Sequence, residues 1–411
     1  MPSSSHRGNT VPLSPFRKLV ELADKAKARG KKVYHLNIGQ PDILTPPAAL
    51  QTLKNQDIPV LEYSPADGVW SYRQKLEKYY KKFDVNITAE QIMITTGASE
   101  AVYFTLLACL EAGESILMPE PFYANYNGFA HMAGVGVRTV TSYIEAGFAL
   151  PSAAEVERSL TPETRAILIC NPNNPTGTFY PQEALEELAF IIKKHNLFLI
   201  VDEVYREFCY DGKDFVSALT IPGIEENVIV IDSISKRYSA CGARVGALVT
   251  RNQSVLEAVS RYAKLRLGAP MLGQLLGEAL LDVDDSYLEA IHEEYDLRRR
   301  TVFNRLQQMP GVVSYLPGGA FYCFARFPVD NADRFCRWLI EDFDYNGATV
   351  MLSPGEAFYA TPGLGVDEVR IAYVINVEAL EAAMDCLERA LEVYPGRVAV
   401  DSKQLAVSSY N

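Results

Sequence analysis

Two neighbouring stretches, LFLIVDEVY at 197–205 and NVIVIDSISK at 227–236, decide the fold. Each is a short run of apolar, largely β-branched residues that ends abruptly in acids, hydroxyls or a lysine. A strand that is apolar at every position has to be covered on both faces, as in parallel sheets flanked by helices. The pattern recurs in QIMITTG (91–97), ESILMPEP (114–121), VGVRTVTS (135–142), RAILICN (165–171) and ARVGALVT (243–250), with helical stretches between. We expect an α/β fold whose large domain holds a seven-stranded, mostly parallel sheet covered by helices. In such sheets ligands sit beyond the carboxyl ends of the strands. TTGASE, PEPFY, NPNNPTG, DEVY and SISK fall there, five loops predicted to converge on one site.

Outward from this sheet the character changes. Upstream, SPFRKLVELADKAKARG (14–30) reads as an amphipathic helix, with Ser14 as N-cap before Pro15 and Gly30 as C-cap. Downstream, a long charged helical pattern over 284–309 stops at Pro310 and Gly311. An α+β region follows, with a helix around 331–343 and a last one at 378–393. A chain of 411 residues suits two domains. The expected division is a large domain, 46–285, and a smaller α+β domain built from both chain ends, 13–45 and 286–400, with flexible tails at 1–12 and 401–411.

The 39 basic and 51 acidic residues give a net charge of −12, which disfavours nonspecific binding to nucleic acid or anionic lipid. The densest basic runs, KAKARGKK (25–32) and Arg298–Arg300, read as solvated helix faces. An anionic ligand must then be held by a few placed cations and backbone amides. The seven cysteines are odd in number, with no C-x-x-C and no zinc-like pairing with the five histidines. They indicate a reduced, cytoplasmic protein without a metal site, most of them serving as small hydrophobes. No 18 apolar residues run together and the N-terminus lacks an apolar signal core, so neither export nor membrane insertion is expected.

Chemistry concentrates at the loop residues. Lys236 leaves an apolar strand beside Ser233 and Ser235, with Arg244 eight residues on. Alone it reads as a solvated lysine; with hydroxyls and an arginine suited to a dianion it could instead form a Schiff base with a phosphorylated aldehyde. Asp202, at a strand exit, needs a cationic partner, and a protonated pyridine nitrogen is one; a metal-binding or capping aspartate is the alternative. Tyr205 would reach such a ring's phenolic oxygen. NPNNPTG at 171–177 is a rigid non-helical loop and by itself only a turn. In TTGASEA (95–101) a glycine and small residues open a helix, either binding phosphate through free amides or forming a plain capping box. Tyr123 stacks on a planar cofactor or fills the core. Arg370, a cation within EVRIAYV, requires a carboxylate, structural or from an amino acid, and Gly39 in LNIGQPD permits close backbone approach to it.

Taken in order, LNIGQPD, YSPADG, GASEA, PEPFY, NPTG, DEVY, SISK with Arg244, PGGAFY, PGEAF and VRIAY resemble the class I/II aminotransferases of the aspartate aminotransferase superfamily. These are fold type I enzymes that use pyridoxal 5′-phosphate. The resemblance covers nearly the whole chain. It implies that Lys236 carries the Schiff base and moves a proton between substrate Cα and cofactor C4′. It implies Asp202 as partner of the pyridine nitrogen, Tyr205 and Asn174 as donors to the ring oxygen, and Tyr123 as the stacking aromatic. Gly97, Ala98, Ser99, Ser233, Ser235 and Arg244 would form the phosphate cup. Tyr63 would join it from the neighbouring subunit, which makes a homodimer with shared sites the expected assembly. Arg370 and Gly39, with Asn174, would hold the substrate α-carboxylate, and the small domain would close on it. Arg266 in KLRLGAP (264–270) falls where the family reaches across the dimer. It either pairs with the side-chain carboxylate of a dicarboxylic substrate or is solvated. Arg237 receives no role.

The expected activity is ping-pong transfer of an α-amino group between aspartate and 2-oxoglutarate. An aromatic or broad-specificity aminotransferase, or a C–S β-lyase, would use the same cofactor residues; release of pyruvate and ammonia from cystathionine separates the lyase. A non-catalytic ligand-binding regulator is disfavoured by the presence of Lys236 and by an N-terminus too short for a helix-turn-helix module. A nicotinamide dehydrogenase is disfavoured because no G-x-G-x-x-G follows an early strand.

Overall fold

In the computed structural model, which describes residues 2–12 and 17–399, β1 (Lys32–His35) precedes the apolar segments read from the sequence. Those segments are β2 (Ile92–Thr95), β3 (Ser115–Glu120), β4 (Gly136–Thr141), β5 (Thr164–Cys170), β6 (Phe198–Asp202), β7 (Val228–Ser233) and β8 (Gly246–Thr250). They form one sheet in the order β2-β8-β7-β6-β5-β3-β4. The pairs β7–β6, β6–β5, β5–β3 and β3–β4 are parallel, whereas β8 runs antiparallel to both β7 and β2. The fold is thus the expected α/β fold around a seven-stranded, mostly parallel sheet. The reversal at β8 has a local cause. A parallel return usually needs a crossover with its own long helix, and the link after β7 holds only the one-turn helix Ile234–Arg237 and a further turn at Cys241–Ala243.

Side chains alternate across a strand, so each apolar segment feeds two cores. Ile167, Ile169, Leu199, Val201, Val228 and Val230 pack into one, and Ala166, Leu168, Ile200, Ile229 and Ile231 into the other. Every residue of β2, β3, β7 and β8 is buried, while edge strand β4 is only partly covered. That explains why VGVRTVTS is the most polar of the seven segments. β2 opposes β8 and β8 opposes β7, so β2, β3, β5, β6 and β7 all point one way. Their carboxyl ends share one edge.

A third core joins the two ends of the chain. The C-terminal strands are β9 (Val313–Ser314), β10 (Tyr322–Arg326), β11 (Ala348–Met351), β12 (Ser353–Pro354) and β13 (Glu368–Ala372). β12-β13-β10-β9 make an antiparallel sheet, and β1 pairs in parallel with β11. Leu19, Ala23 and Leu36 therefore pack with Phe335, Val350 and Leu387. The expected C-terminal helices form at Asp285–Gln308, Ala332–Glu341 and Val377–Val393, N-capped by Asp284, Asn331 and Asn376.

One surface reading is corrected. Arg298 and Arg299 are only 3% and 0% exposed. Arg298 donates to Asp42 and the Val374 carbonyl, and Arg299 to Asp211 and the Pro317 carbonyl. Consecutive helical residues point about 100° apart, so three adjacent arginines cannot share a solvated face; only Arg300 stays at the surface. The run at 25–32 does lie largely exposed. The N-cap read at Ser14 and Pro15 falls outside the described residues, and within the first dozen residues His6–Thr10 forms a short helix. All seven cysteines are free thiols. Among the described residues no helix is long and apolar enough to cross a membrane, and no cluster of histidine, cysteine or acidic side chains is arranged to hold a metal.

Candidate functional site

A cavity of about 420 Å³ opens at the carboxyl edge of the central sheet, where all five predicted loops meet residues of the C-terminal sheet. Ligand pockets commonly fall between roughly 300 and 1,000 Å³. Lys236 enters from the one-turn helix after β7, whose start is capped by the Ser233 hydroxyl accepting from the Ser235 amide. Its Nζ donates to the Gly39 carbonyl at 2.6 Å. Burial, reinforced by the charges of Arg370 and Arg244, lowers the pKa of this amine. A lowered pKa raises the fraction in the neutral, nucleophilic form.

Asp202, the last residue of β6, faces the same cavity and is buried. Burial pushes its carboxyl up to about 6, against the Tyr126 hydroxyl donating at 2.6 Å and the Val204 amide at 3.3 Å. Among the described residues no arginine, lysine or histidine forms an ion pair with it. A buried carboxylate without a direct cation is an acceptor that a protonated ring nitrogen would complete by donating to it. Tyr205 receives the Asn174 side-chain amide at 3.5 Å and bonds the Tyr322 hydroxyl at 2.9 Å. Tyr123 lines the cavity wall, edge-on to Tyr126.

The amide-rich start of the helix Gly97–Cys109 supplies the other end. Gly97 has φ +74°, and a Cβ there would lie 2.4 Å from Arg244 Nη2. Ala98 and Ser99 follow on the cavity wall, and Ser233 and Ser235 face them with hydroxyls 2.8 Å apart. The Thr96 N-cap makes no side-chain cap bond, and the Glu100 carboxylate accepts its amide instead. The capping-box alternative therefore does not occupy Ser99. Helix-end amides, two hydroxyls and a guanidinium are a phosphate-binding set.

Arg370, on β13, is buried opposite this cup. It donates to Asn174 Oδ1 at 3.0 Å and to the Asn37 carbonyl at 2.6 Å, and lies over the Tyr322 ring at 4.7 Å. Gly39 is required by contact rather than by φ: a Cβ there would collide with the Tyr322 hydroxyl. The cradle of Gly39 and Gly97, the unpaired Asp202 and the depressed Lys236 amine fit a phosphorylated pyridine aldehyde.

Two predicted residues are not brought together with the rest. Tyr63 is 82% exposed and lies outside the cavity of its own chain. Arg266 also lies outside it. Its guanidinium pairs with Glu100 at 2.9 Å and donates to the Ala66 and Ile94 carbonyls. Within one chain it cannot serve as a free cation for substrate, because Glu100 already holds it. Tyr126 and Tyr322 were missed in the sequence. Tyr126 lies in the first turn of the helix Asn125–Ala133, its amide bonded to the Tyr123 carbonyl at 2.9 Å, and the PEPFYANY run that holds both tyrosines was the available signal. Tyr322 ends the PGGAFY motif, but neither charge nor spacing assigned it a role.

Residues 31–387 match the family model described as aminotransferase class I and II. An aspartate aminotransferase of Pyrococcus horikoshii is 32% identical over 386 residues, covering 92% of this chain and 95% of that protein. Aromatic-amino-acid aminotransferase 2 of Thermococcus litoralis is 33% identical over 397 residues, covering 94% and 98%. The crystal structure of an aspartate aminotransferase from Thermotoga maritima superposes with a TM-score of 0.87 at 30% identity, covering 95% of this chain and all of that one.

Proposed function

Because the chain belongs to the class I and II aminotransferases, which depend on pyridoxal phosphate, we propose that it moves an α-amino group from aspartate to 2-oxoglutarate as a cytoplasmic homodimer. The observation that carries this reading is the convergence of Lys236, Asp202 and Arg370 on one cavity. Bound pyridoxal phosphate supplies an aldehyde that takes up the amino group and a ring that accepts electrons from the substrate Cα. The residues do the rest. Gly97, Ala98, Ser99, Ser233, Ser235 and Arg244 hold the phosphate, and Tyr63 of a second copy reaches it from outside. Asp202 keeps a proton on the ring nitrogen, Tyr205 and Asn174 donate to the ring oxygen, and Tyr123 covers one ring face. Arg370 and Asn174 orient the substrate α-carboxylate, with Gly39 beside it. Lys236 Nζ takes the proton from Cα and returns it one atom away. Residues 13–45 and 286–400 close as a small domain against 46–285 and exclude water.

An absorbance spectrum tests the reading. The holoenzyme should show a visible band that vanishes with aspartate and returns with 2-oxoglutarate; a protein that takes up no pyridoxal phosphate overturns it. Aspartate is favoured by the relatives of that activity. A second reading, aromatic or broad specificity, is favoured by the apolar side chains of Ile38, Val102 and Phe129 in the cavity lining and by the Thermococcus litoralis relative. Arg266→Ala is expected to slow aspartate and tyrosine turnover by the same factor. A loss confined to aspartate would return Arg266 to the substrate carboxylate.

Gly97→Ala probes the cup. The new residue would sit at φ +74°, with its Cβ driven against Arg244. Left-handed backbone costs the folded protein roughly 1–2 kcal/mol, and displacing the Arg244 guanidinium from the cup should lower the affinity for pyridoxal phosphate about tenfold or more. An unchanged dissociation constant in a fluorescence titration would remove Gly97 from the phosphate site.

A further inference from the structure

Next in the chain to residues that line the cavity lies a buried ionic network to which the proposed chemistry assigns no part. Arg237 grips Asp232 with two prongs, Nη1 at 2.7 Å and Nη2 at 3.1 Å. Arg206 approaches the same carboxylate at 3.5 Å and Glu203 at 3.4 Å, and Glu207 lies 3.6 Å from Arg237. Asp232, Arg237, Arg206 and Glu203 are each at most 1% exposed. Two of its carboxylates are tied to the scaffold. The Tyr80 hydroxyl and the Ser233 amide donate to Asp232, and the Ser217 hydroxyl and Ala218 amide donate to Glu203.

Its members are the chain neighbours of the cavity residues. Glu203 follows Asp202, Arg206 follows Tyr205, Asp232 precedes Ser233, and Arg237 follows Lys236. The four-residue helix Ile234–Arg237 is too short to be rigid by its own hydrogen bonds. A planar guanidinium bound bidentately to a strand carboxylate fixes both distance and orientation. Adjacent side chains on such a turn leave in different directions, so tying Arg237 down into the sheet turns Lys236 up into the cavity.

We propose that Arg237 and Asp232 are positioning residues, which fix Lys236 Nζ relative to Asp202 by clamping the 233–237 and 202–206 segments to one buried ionic network. The inference rests on the reading of Lys236 and Asp202 given above. The charges agree with it. Burial alone would raise Asp232, yet Arg206 and Arg237 hold it well below the usual carboxylate range, so the clamp stays ionised. Burial pushes Glu203 and Glu207 up to about 7, leaving them as the members that accommodate the excess negative charge.

The test is Arg237→Met in the holoenzyme, with Arg237→Lys and the double variant Asp232→Asn/Arg237→Met beside it. A displacement of about 1 Å at a reacting group can cost on the order of a hundredfold in rate. Arg237→Met should therefore lose about a hundredfold in kcat, with KM for aspartate little changed. The pH midpoint of its visible cofactor band should move. Arg237→Lys keeps the charge without the two-pronged grip and should recover only part of kcat. The double variant leaves no lone buried carboxylate at 232 and keeps one acceptor oxygen there, for Tyr80 or for Ser233, so it should melt closer to the wild type than Arg237→Met does and still be slow. Native kcat and band midpoint in a folded, cofactor-loaded single or double variant overturn the positioning role. A wild type that binds no pyridoxal phosphate overturns the proposed function instead, and the premise with it.

Discussion

Alanine in place of Lys236 is expected to lower aspartate turnover by about four orders of magnitude or more, because in the proposed function this one residue supplies both the nucleophile and the proton-transfer group. No other lysine and no histidine lines the cavity. Arg244 and Arg370 do not give up a proton in water. Burial raises the phenols of Tyr123, Tyr126, Tyr205 and Tyr322 and the thiol of Cys170. Lys236 moves the other way, its amine lowered by the same burial. Its side chain makes one hydrogen bond, to the Gly39 carbonyl, so the alanine variant should fold and still bind pyridoxal phosphate through the phosphate cup. Lys236→Arg is the sharper control. It keeps the positive charge and fills the space, yet holds its proton, and should be as inactive as alanine. Steady-state assays of both variants, with cofactor content measured by absorbance, check the expectation. Arginine activity above about 1% of wild type would mean that proton transfer at Cα lies elsewhere.

The fold was legible because burial on both faces leaves a mark at every position of a strand. LFLIVDE and NVIVIDSIS could hardly be anything but central strands, and the loops after them carried the residues found in the cavity. What was not legible was where each charge goes. Arg266 and Arg298 look alike in sequence, as cations on helices, but Glu100 holds the first and Asp42 the second. Both partners lie more than a hundred positions away in the chain, and helical spacing carries no record of them. Arg237 received no role for a different reason: Asp232 is only five positions away, but the burial that makes their two-pronged bond matter is revealed only by the packed sheet. Tyr322 shows the limit for uncharged groups, since its contacts with Tyr205 and Gly39 are set by the approach of β10 to the central sheet.

Asp202→Ala is expected to cut kcat by about a thousandfold, the scale of removing one preorganised electrostatic group from an active site. In the proposed reading the carboxylate would hold a proton on the ring nitrogen, the positive charge that lets the ring accept electrons; without it the ring would remain bound as a poorer acceptor. Asn at 202 should be nearly as slow, since it keeps the shape and the Tyr126 contact but not the charge. The same residue gives the cofactor-free protein a pH signature. Burial moves the folded carboxyl from 3.8 up to about 6, so the folded state binds a proton that the unfolded state has released. Its stabilising contribution is fully present below about 4 and is lost as pH rises through 6, amounting to about 3 kcal/mol. Urea unfolding of the cofactor-free protein should therefore show stability falling over this window, and Asp202→Asn should flatten part of that fall. Glu203 and Glu207, pushed up to about 7, contribute slopes of the same sign and extend the fall toward neutral pH, so the comparison is between wild type and Asn, not with a flat line. Identical slopes in the two proteins would mean that Asp202 is already ionised and paired before the cofactor arrives. The cavity would then hold no carboxylate waiting for a ring nitrogen, and the electron-sink role would have to be assigned elsewhere.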